Sequence, residues 1–265
     1  MSLHPYLNTT GPIALAHRGG AEEWPENTFE AFAGSYDLGL RYIETDVHLT
    51  SDGVIVAFHD LDLHRIGNIK GTIAGTTWQQ LSSIRVNGQG RIPSLEELLR
   101  QFPDLRLNID MKSNQVVGPL VDLIRECDAF DRVCLASFHD HRIARARLLA
   151  GDKLCVSAGR ISVAKHLLRS YGVLPRSKPL SQASNPTVHV RGYEILQVPL
   201  KRYGTKVFSK KFLDQALLEN KLVHVWTIND AATMHELLDM GVAGIISDRP
   251  TLLKQVFIER GIWQF

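Results

Sequence analysis

Residues 13–20 read Ile-Ala-Leu-Ala-His-Arg-Gly-Gly, a short apolar run that ends in a histidine and an arginine. Seven further apolar runs of similar length follow, and segments with helical periodicity separate most of them. Parallel strands need a crossover between them, usually a helix, so the alternation predicts repeated β/α units. The predicted strands cover residues 13–16, 42–47, 105–109, 133–137, 153–157, 194–198, 222–226 and 244–247.

Helix signals lie in the segments between these runs. Asn27 and Glu30 have the spacing of a capping box, which predicts a first helix that starts after Asn27 and ends at Gly39. Ser94 and Glu97 repeat the spacing. Eight strands and their helices in a chain of 265 residues favour a closed TIM (β/α)8 barrel over a doubly wound sheet. Further helices are predicted over residues 140–150, 162–171, 209–220, 230–240 and 251–260.

One segment, residues 48–92, departs from the alternation and is partly glycine-rich. Its Asp52-Gly53 pair is a strong turn signal, and a turn there pairs residues whose numbers sum to roughly 103 to 105. His59 therefore returns to the level of Glu44 and Asp46. We predict a single domain over residues 1–265, with a hairpin and a small insertion after strand two at residues 48–92.

Composition excludes several classes of partner. The chain is 44% hydrophobic and has a net charge of +2, without a basic run, so neither nucleic acid nor an anionic membrane is indicated. No apolar run approaches the ~18 residues of a membrane span. The N-terminus lacks a signal-peptide pattern and the three cysteines lie apart, so we expect a cytoplasmic protein. The oligomeric state stays open, a homodimer included.

Polar residues alternate along two neighbouring predicted strands. Glu44 and Asp46 share one face of the second strand, and Asn108, Asp110 and Lys112 share one face of the third. Both polar faces must point into the barrel or its mouth, because the opposite faces are apolar. Several buried carboxylates are costly without a cation, so the pattern predicts a divalent metal ion.

Two histidines complete this set of residues. His17 ends the first strand and His59 follows the hairpin, so both imidazoles lie near Glu44 and Asp46. Carboxylates hold a hard cation through oxygen, and a pair of histidines can serve as base and acid. The combination is typical of metal-assisted phosphodiester cleavage, with Mg²⁺ and Ca²⁺ both compatible with the ligands.

The ordered motifs resemble the glycerophosphodiester phosphodiesterase family over most of the chain. They are His17-Arg18-Gly19-Gly20, Pro25-Glu26-Asn27-Thr28, Glu44-Thr45-Asp46-Val47, His59-Asp60, Ile92-Pro93-Ser94-Leu95, Asn108-Ile109-Asp110-Met111-Lys112, Val225-Trp226-Thr227-Ile228-Asn229 and Gly244-Ile245-Ile246-Ser247-Asp248-Arg249-Pro250. The resemblance implies a barrel with a small insertion, one divalent cation, and hydrolysis of glycerophosphodiesters from deacylated phospholipids to glycerol 3-phosphate and an alcohol.

The resemblance also implies roles for individual residues. Glu44 and Asp46 would bind the metal, and His17 and His59 would be the acid/base pair. The residues do not decide which histidine is the acid, or whether the substrate's neighbouring hydroxyl attacks first and gives a cyclic phosphate.

The remaining candidates would contact the substrate or the metal. Arg18 and Lys112 would hold phosphate oxygens, although pairing with the carboxylates alone is also open. Asp110 takes a position where the family usually has a metal-binding glutamate, so it reaches the ion directly or through a water. Trp226 either stacks on a substrate polyol or belongs to the core. We assign Asn27 to the first helix as its N-cap.

Two other functions stay open at this point. One is phospholipase D-type cleavage of lysophospholipids, with specificity located in the insertion or in the loop from Gly172 to Gly192. The other is a barrel that binds phosphodiesters without catalysis, for which Asp110 is the single argument. The second would bind a cation without turning over a substrate.

Overall fold

The computed structural model describes residues 4–65, 69–175 and 192–264. Eight strands of these residues run parallel in one sheet. Each strand pairs with the next along the chain up to β5, and from β6 to the end, while β1 pairs with β8. The strands are β1 (Ile13–His17), β2 (Tyr42–Leu49), β3 (Arg106–Met111), β4 (Val133–Ala136), β5 (Cys155–Val156), β6 (Ile195–Pro199), β7 (Leu222–Trp226) and β8 (Gly244–Ser247).

The sheet curls into a nearly closed barrel. Ser157, just after β5, forms a parallel bridge with Ile195 of β6. The amide of Ala158 then donates a hydrogen bond to the Ile195 carbonyl at 2.9 Å. The predicted TIM-type barrel is therefore confirmed, and all eight predicted strands are present within two residues of their expected ends.

Helices cover the outside of the barrel. Their apolar faces pack against the outward side chains of the strands in two large clusters of buried residues. The helices are α1 (Phe29–Asp37), α2 (Trp78–Ser82), α3 (Leu95–Gln101), α4 (Val117–Glu126), α5 (Asp140–Ala150), α6 (Arg160–Ser170), α7 (Lys210–Leu218), α8 (Ala231–Met240) and α9 (Pro250–Glu259).

Helix α4 was not among the predicted helices. Pro119 lies in its first turn, where the missing amide hydrogen removes no intrahelical hydrogen bond. The buried stripe Val117, Leu120, Val121 and Ile124 then holds the helix against the barrel. Pro119 is therefore compatible with the helical spacing of the apolar residues that follow it.

The N-terminal end of the barrel is closed by apolar side chains. A short 3-10 helix, Pro5–Leu7, places the buried Tyr6 and Leu7 under the strands. The Tyr42 hydroxyl donates a hydrogen bond to the Tyr6 carbonyl at 2.7 Å. Leu15 and Ile246 complete this interior cluster. Since this end is filled, the polar residues of the interior lie at the opposite end.

The segment after β2 contains the predicted hairpin. The short strand Ile55–Ala57 runs antiparallel to β2 and pairs Val47 with Ala57 and Leu49 with Ile55. Both pairs sum to 104, inside the predicted interval. Beyond it, the 3-10 helix Ile73–Gly75, helix α2 and the strands Arg85–Val86 and Gly90–Arg91 surround a small core of their own. We interpret residues 48–92 as an insertion mounted on the barrel.

Several other connections contain short elements. They include the 3-10 helices Phe130–Arg132 and Gly151–Lys153 and a hairpin of Lys201–Arg202 with Thr205–Lys206. Most of the loop from Gly172 to Gly192, to which substrate specificity was assigned, lies outside the described residues. Among the helices that the structure describes, none has both the length and the apolar character needed to cross a membrane.

Candidate active site

A cavity of about 590 Å³ opens at the C-terminal ends of the barrel strands. Active sites of TIM barrels lie at this end, where loops from several strands meet. Every site residue predicted from the sequence lines this cavity. They are His17, Arg18, Glu44, Asp46, His59, Asp110, Lys112 and Trp226.

Strand register brings the polar residues of β1, β2 and β3 together. His17 lies beside Glu44, Glu44 beside Asn108, and Asp46 beside Asp110. Alternate residues of a strand point to the same face, so these side chains share the inward face with the interior residues two positions earlier in each strand. We call this side of the cavity the carboxylate wall, formed by His17, Arg18, Glu44, Asp46, Asn108, Asp110 and Lys112.

Asp46 is buried but fully compensated by cations. Lys112 Nζ lies 2.6 Å from one carboxylate oxygen, and Arg18 Nε lies 3.2 Å from the other. The side-chain amide of Asn27 also donates to Asp46, at 3.1 Å. Burial favours the neutral acid, but Lys112 and Arg18 outweigh it and lower the pKa of Asp46. Asp46 is therefore a carboxylate at neutral pH.

Glu44 is in the opposite situation. In the part of the chain that the structure describes, no lysine contacts its carboxylate, which lies 3.3 Å from the Arg18 amide nitrogen and 3.7 Å from His17 Nε2. Burial and the neighbouring charge of Asp46 raise the pKa of Glu44 to about 7, against the weaker influence of His17 and Arg18. Without a further cation, the Glu44 side chain is therefore partly protonated near neutral pH.

Asp110 is only partly compensated. One of its oxygens accepts a hydrogen bond from Lys112 Nζ at 2.8 Å, while the other is buried without a hydrogen-bond partner among the described residues. Burial raises the pKa of Asp110 despite Lys112. The side-chain oxygen of Asn108 is likewise buried and unpaired within the described part of the chain. This wall therefore has two oxygen acceptors to spare.

His17 is oriented by a carboxylate from the end of β8. Its Nδ1 lies 2.6 Å from an oxygen of Asp248, whose other oxygen accepts a hydrogen bond from Asn229 at 2.9 Å. Burial lowers the pKa of His17, but Glu44 and the hydrogen bond to Asp248 together outweigh burial, so the pKa is raised overall. Because Asp248 is held ionised, Nδ1 carries the proton and Nε2 faces the carboxylate wall.

His59 has an equivalent partner next to it in sequence. Its Nδ1 lies 2.6 Å from an oxygen of Asp60, and Arg65 Nε lies 2.5 Å from the other. Arg65 also contacts Glu26 at 2.5 Å, and Glu26 accepts from Arg18 at 3.1 Å. A chain of alternating charges thus joins the His59 side of the cavity to Arg18.

Sequence reasoning missed these supporting groups. Asp248, Asp60 and Glu26 stand in the sequence motifs without an assigned role. Asp60 follows the predicted site residue His59, and Asp248 directly follows β8, and these are the signals that could have found them. Asp248 lies 231 residues from His17, which is beyond the reach of local patterns.

The assignment of Asn27 as a helix cap was wrong. Thr28 is the N-cap of α1, and its hydroxyl accepts a hydrogen bond from the Ala31 amide. Asn27 has a φ of +54° and is buried, and its amide bridges Thr45 and Asp46 with bonds of 2.7 and 3.1 Å. Because the Asn27 side chain is hydrogen-bonded to two residues of β2, it is unavailable to the helix.

The cavity wall opposite the carboxylates is apolar. Trp226 lies here, with its ring 6.1 Å from that of Phe138 in an edge-to-face arrangement. Trp226 therefore both lines the cavity and packs on a neighbouring aromatic ring. We call this side the apolar wall, formed by Ala136, Phe138, Ala158, Val163, Ala164, Leu167, Pro199, Val207 and Trp226.

The sequence profile of the glycerophosphoryl diester phosphodiesterase family matches residues 17–252. This span runs from the first histidine of the cavity into the last helix, so it contains both walls. The chain belongs to this family. Its members hydrolyse phosphodiesters, and the protein is accordingly an enzyme, a phosphoric diester hydrolase of the glycerophosphodiester phosphodiesterase kind.

Individual relatives agree with the family. A Mycobacterium tuberculosis protein named probable glycerophosphodiester phosphodiesterase 2 is 35% identical, covering 97% of this chain and 95% of its own. A lysophospholipase D of Homo sapiens is 24% identical over 91% of this chain and 84% of its own. An Oleispira antarctica phosphodiesterase, solved with the product sn-glycerol-3-phosphate, shares the fold with a TM-score of 0.75 at 20% identity, covering 95% and 99% of the two chains.

The carboxylate wall offers a donor set that suits a hard divalent cation. Its ligands would be oxygens, which Mg²⁺ and Ca²⁺ prefer, and the unpaired acceptors of Asn108 and Asp110 lie next to Glu44 and Asp46 in register. Among the described residues no three histidine, cysteine or carboxylate side chains converge as a metal site. Lys112 Nζ lies 2.6 Å from Asp46 and 2.8 Å from Asp110. The oxygen ligands fit such a cation, and the Lys112 ammonium compensates the charges of Asp46 and Asp110.

Proposed function

We propose that this enzyme hydrolyses glycerophosphodiesters to glycerol 3-phosphate and an alcohol, with one divalent cation and with His17 and His59 as the acid/base pair. One observation carries the proposal. Two imidazoles line the same cavity as three carboxylates, and each imidazole has its Nδ1 held at 2.6 Å by an aspartate. A carboxylate on Nδ1 fixes the orientation and the tautomer of each ring.

The histidine pair supplies both proton transfers. With Nδ1 bound to Asp248 or Asp60, the Nε2 atom of each ring is left to exchange a proton at the cavity. One imidazole removes a proton from the attacking hydroxyl, and the other protonates the alkoxide as the phosphorus–oxygen bond breaks. Water is the nucleophile in direct hydrolysis. Attack by the adjacent glycerol hydroxyl would instead give a cyclic phosphate, detectable as a transient product.

Arg18 and Lys112 supply positive charge beside the histidines. Both contact Asp46, at 3.2 and 2.6 Å, and both line the cavity. Their positions are fixed before substrate arrives, so they can stabilise charge on the phosphoryl oxygens without reorganisation. Trp226 offers a flat apolar surface to the substrate's carbon skeleton from the other side.

Glu44, Asp46 and Asp110 would hold the cation, with the Asn108 oxygen as a further ligand. A bound divalent ion would polarise a phosphoryl oxygen and offset developing negative charge. Its charge would also oppose the effect of burial and lower the pKa of Glu44, whose carboxylate has no lysine or arginine side chain in contact among the described residues. Asp110 is a shorter ligand than glutamate, so a water molecule can complete its reach.

The test is release of glycerol 3-phosphate from glycerophosphocholine and glycerophosphoethanolamine, with Mg²⁺, Ca²⁺ or a chelator. We expect cation-dependent release that falls by ~10²–10⁴-fold in His17→Ala and in His59→Ala. His235→Ala, at a half-exposed histidine of α8, is the matched control. Cation binding without turnover by the wild type would contradict catalysis, and equal activity of the His59 variant would remove it from the mechanism.

A second candidate is phospholipase D-type cleavage of lysophospholipids. The apolar wall favours it, because Val163, Leu167 and Val207 offer aliphatic surface inside the cavity. An acyl chain on the glycerol would occupy that surface. Lysophosphatidylcholine belongs in the same assay, with lysophosphatidic acid as the product to detect. Turnover of the lysolipid alone would select this function over the first.

A further inference from the structure

Two arginines flank the apolar wall at the mouth of the cavity. Arg160 begins α6 and Arg202 lies in the hairpin after β6, and both line the same cavity as His17 and His59. Their guanidinium carbons lie 5.8 and 5.4 Å from the centre of the Phe138 ring. Arg202 also lies 5.3 Å from the ring of Tyr203. The two positive charges therefore converge on one aromatic side chain.

No carboxylate of the described residues neutralises either charge. In the described residues no ion pair joins Arg160 or Arg202 to a carboxylate, and Arg160 Nε donates only to the Phe138 carbonyl, at 3.3 Å. The residues outside the described ranges include neither Asp nor Glu. By contrast, Arg18 and Arg65 on the other side each contact two carboxylates.

The arginines also change what the aromatic residues can bind. Phe138, Tyr203 and Trp226 would otherwise resemble the aromatic surroundings that attract a quaternary ammonium. Here the guanidinium groups already lie within cation–π distance of Phe138 and Tyr203. A cationic choline or ethanolamine would meet like charge at this position, whereas a carboxylate or a phosphate would meet two unpaired donors.

We propose that Arg160 and Arg202 form a subsite for a second anionic group, a carboxylate or a phosphate, on the alcohol part of the substrate. The inference rests on the proposed function. The glycerol hydroxyls would face the polar carboxylate wall, and the alcohol would extend along the apolar wall towards the two arginines. A cavity of about 590 Å³ is within the range that holds ligands of this size.

Matched substrates test the subsite directly. Glycerophosphoserine differs from glycerophosphoethanolamine by one carboxylate, and glycerophosphoinositol 4-phosphate differs from glycerophosphoinositol by one phosphate. We expect kcat/KM to favour the more anionic member of at least one pair by about ten-fold, mainly through KM. The serine pair reports a carboxylate ligand and the inositol pair reports a phosphate ligand.

Variants assign the preference to the arginines. Each of Arg160→Gln and Arg202→Gln should reduce the ratio of kcat/KM within the preferred pair by about five-fold, equivalent to ~1 kcal/mol. Lys165→Gln removes a positive charge from the exposed side of the same helix, outside the cavity, and should leave the ratio unchanged. The wild-type ratio should also fall as salt rises from 0.05 to 0.5 M, because ions screen exposed charges.

The outcomes separate the subsite from the proposed function. Equal kcat/KM within both pairs, or a preference that persists in the double variant Arg160→Gln/Arg202→Gln, would overturn the subsite while glycerol 3-phosphate release upholds the function. Release from none of the four substrates would overturn both. A ratio that falls in both arginine variants, and not in Lys165→Gln, supports the subsite.

Discussion

The two walls of the cavity handle charge in opposite ways. On the carboxylate wall, Asp46 contacts Lys112 and Arg18, and His17 contacts Asp248. Burial there is extensive, and the groups shift one another's pKa values. On the apolar wall, the cations Arg160 and Arg202 are at the mouth and have no carboxylate partner within the described residues.

This difference indicates which wall is prepared for which part of the substrate. A densely paired wall holds its side chains in place before binding, which suits proton transfer and charge stabilisation at one bond. The apolar wall has few such contacts, so a change of the substrate's substituent there breaks few interactions within the protein. The comparison therefore assigns chemistry to the carboxylate wall and selectivity to the apolar wall, and each assignment can be tested separately.

Lys112→Met should break the paired wall most severely. The substitution leaves Asp46 and Asp110 buried without their shared ammonium, and loss of one partner from a buried ion pair costs ~3–5 kcal/mol of unfolding free energy. Urea unfolding measures it. A divalent cation should recover more stability in the variant than in the wild type. Lys210→Met, at an exposed ion pair of α7, is the control, and equal losses in both variants would contradict the argument.

Asp248→Asn should lower kcat by ~10²-fold with little change in KM. The amide removes the charge that holds the proton on His17 Nδ1 and keeps the ring in place. Steady-state kinetics over a pH series should show the pKa that belongs to His17 moving down, since Asp248 contributes to its upward shift. Asp239→Asn, at an exposed ion pair, is the matched control. An unchanged kcat would assign Asp248 to the fold alone.

Much of the carboxylate wall could be predicted from sequence, for a physical reason. A strand has a period of two, so Glu44 and Asp46 had to share a face, as did Asn108, Asp110 and Lys112. The Asp52-Gly53 turn then determined the pairing between Val47 and Ala57, and so the return of His59.

The supporting contacts could not be predicted in this way. Asp248 meets His17 only because β1 and β8 pair when the barrel closes, which joins residues 231 positions apart. Asn27 meets Thr45 and Asp46 from a backbone conformation with a positive φ, which its spacing to Glu30 does not reveal. The apolar wall combines side chains from α6, two loops and the ends of several strands, so no single periodicity marks it.

His224→Leu tests the comparison between the two sides of the barrel at a buried histidine below the apolar wall. His224 lies on the same face of β7 as Trp226 and is fully buried, and neither ring nitrogen has a partner among the described residues. Burial lowers the pKa of His224 to about 3. His17, also largely buried, keeps a raised pKa because carboxylates surround it. Burial thus neutralises a histidine on one side of the barrel and not on the other.

The consequence is a loss of stability in acid. Below pH ~6.5 the unfolded chain protonates His224 while the folded chain does not, so the free energy of unfolding falls as pH drops from ~6.5 towards 3. Between pH 7 and pH 5 the wild type should lose ~2 kcal/mol more than His224→Leu. Urea titrations at both pH values measure the difference. His235→Leu should behave as the wild type, and parallel pH profiles for His224→Leu and wild type would show that His224 is protonated in the fold.

Asp110→Glu tests a smaller difference, between Asp110 and Asp46 within the carboxylate wall. Asp110 has one buried oxygen without a partner among the described residues, whereas Asp46 has cations on both of its oxygens. One more methylene would bring the carboxylate closer to Glu44 and Asp46 and replace a bridging water by a direct ligand. The cation concentration for half-maximal activity should then fall by up to ~ten-fold, equivalent to ~1.4 kcal/mol. Asp122→Glu, exposed on α4, controls for the added methylene. A requirement that is unchanged in Asp110→Glu would mean that Asp110 serves to hold Lys112 and takes no part in binding the cation.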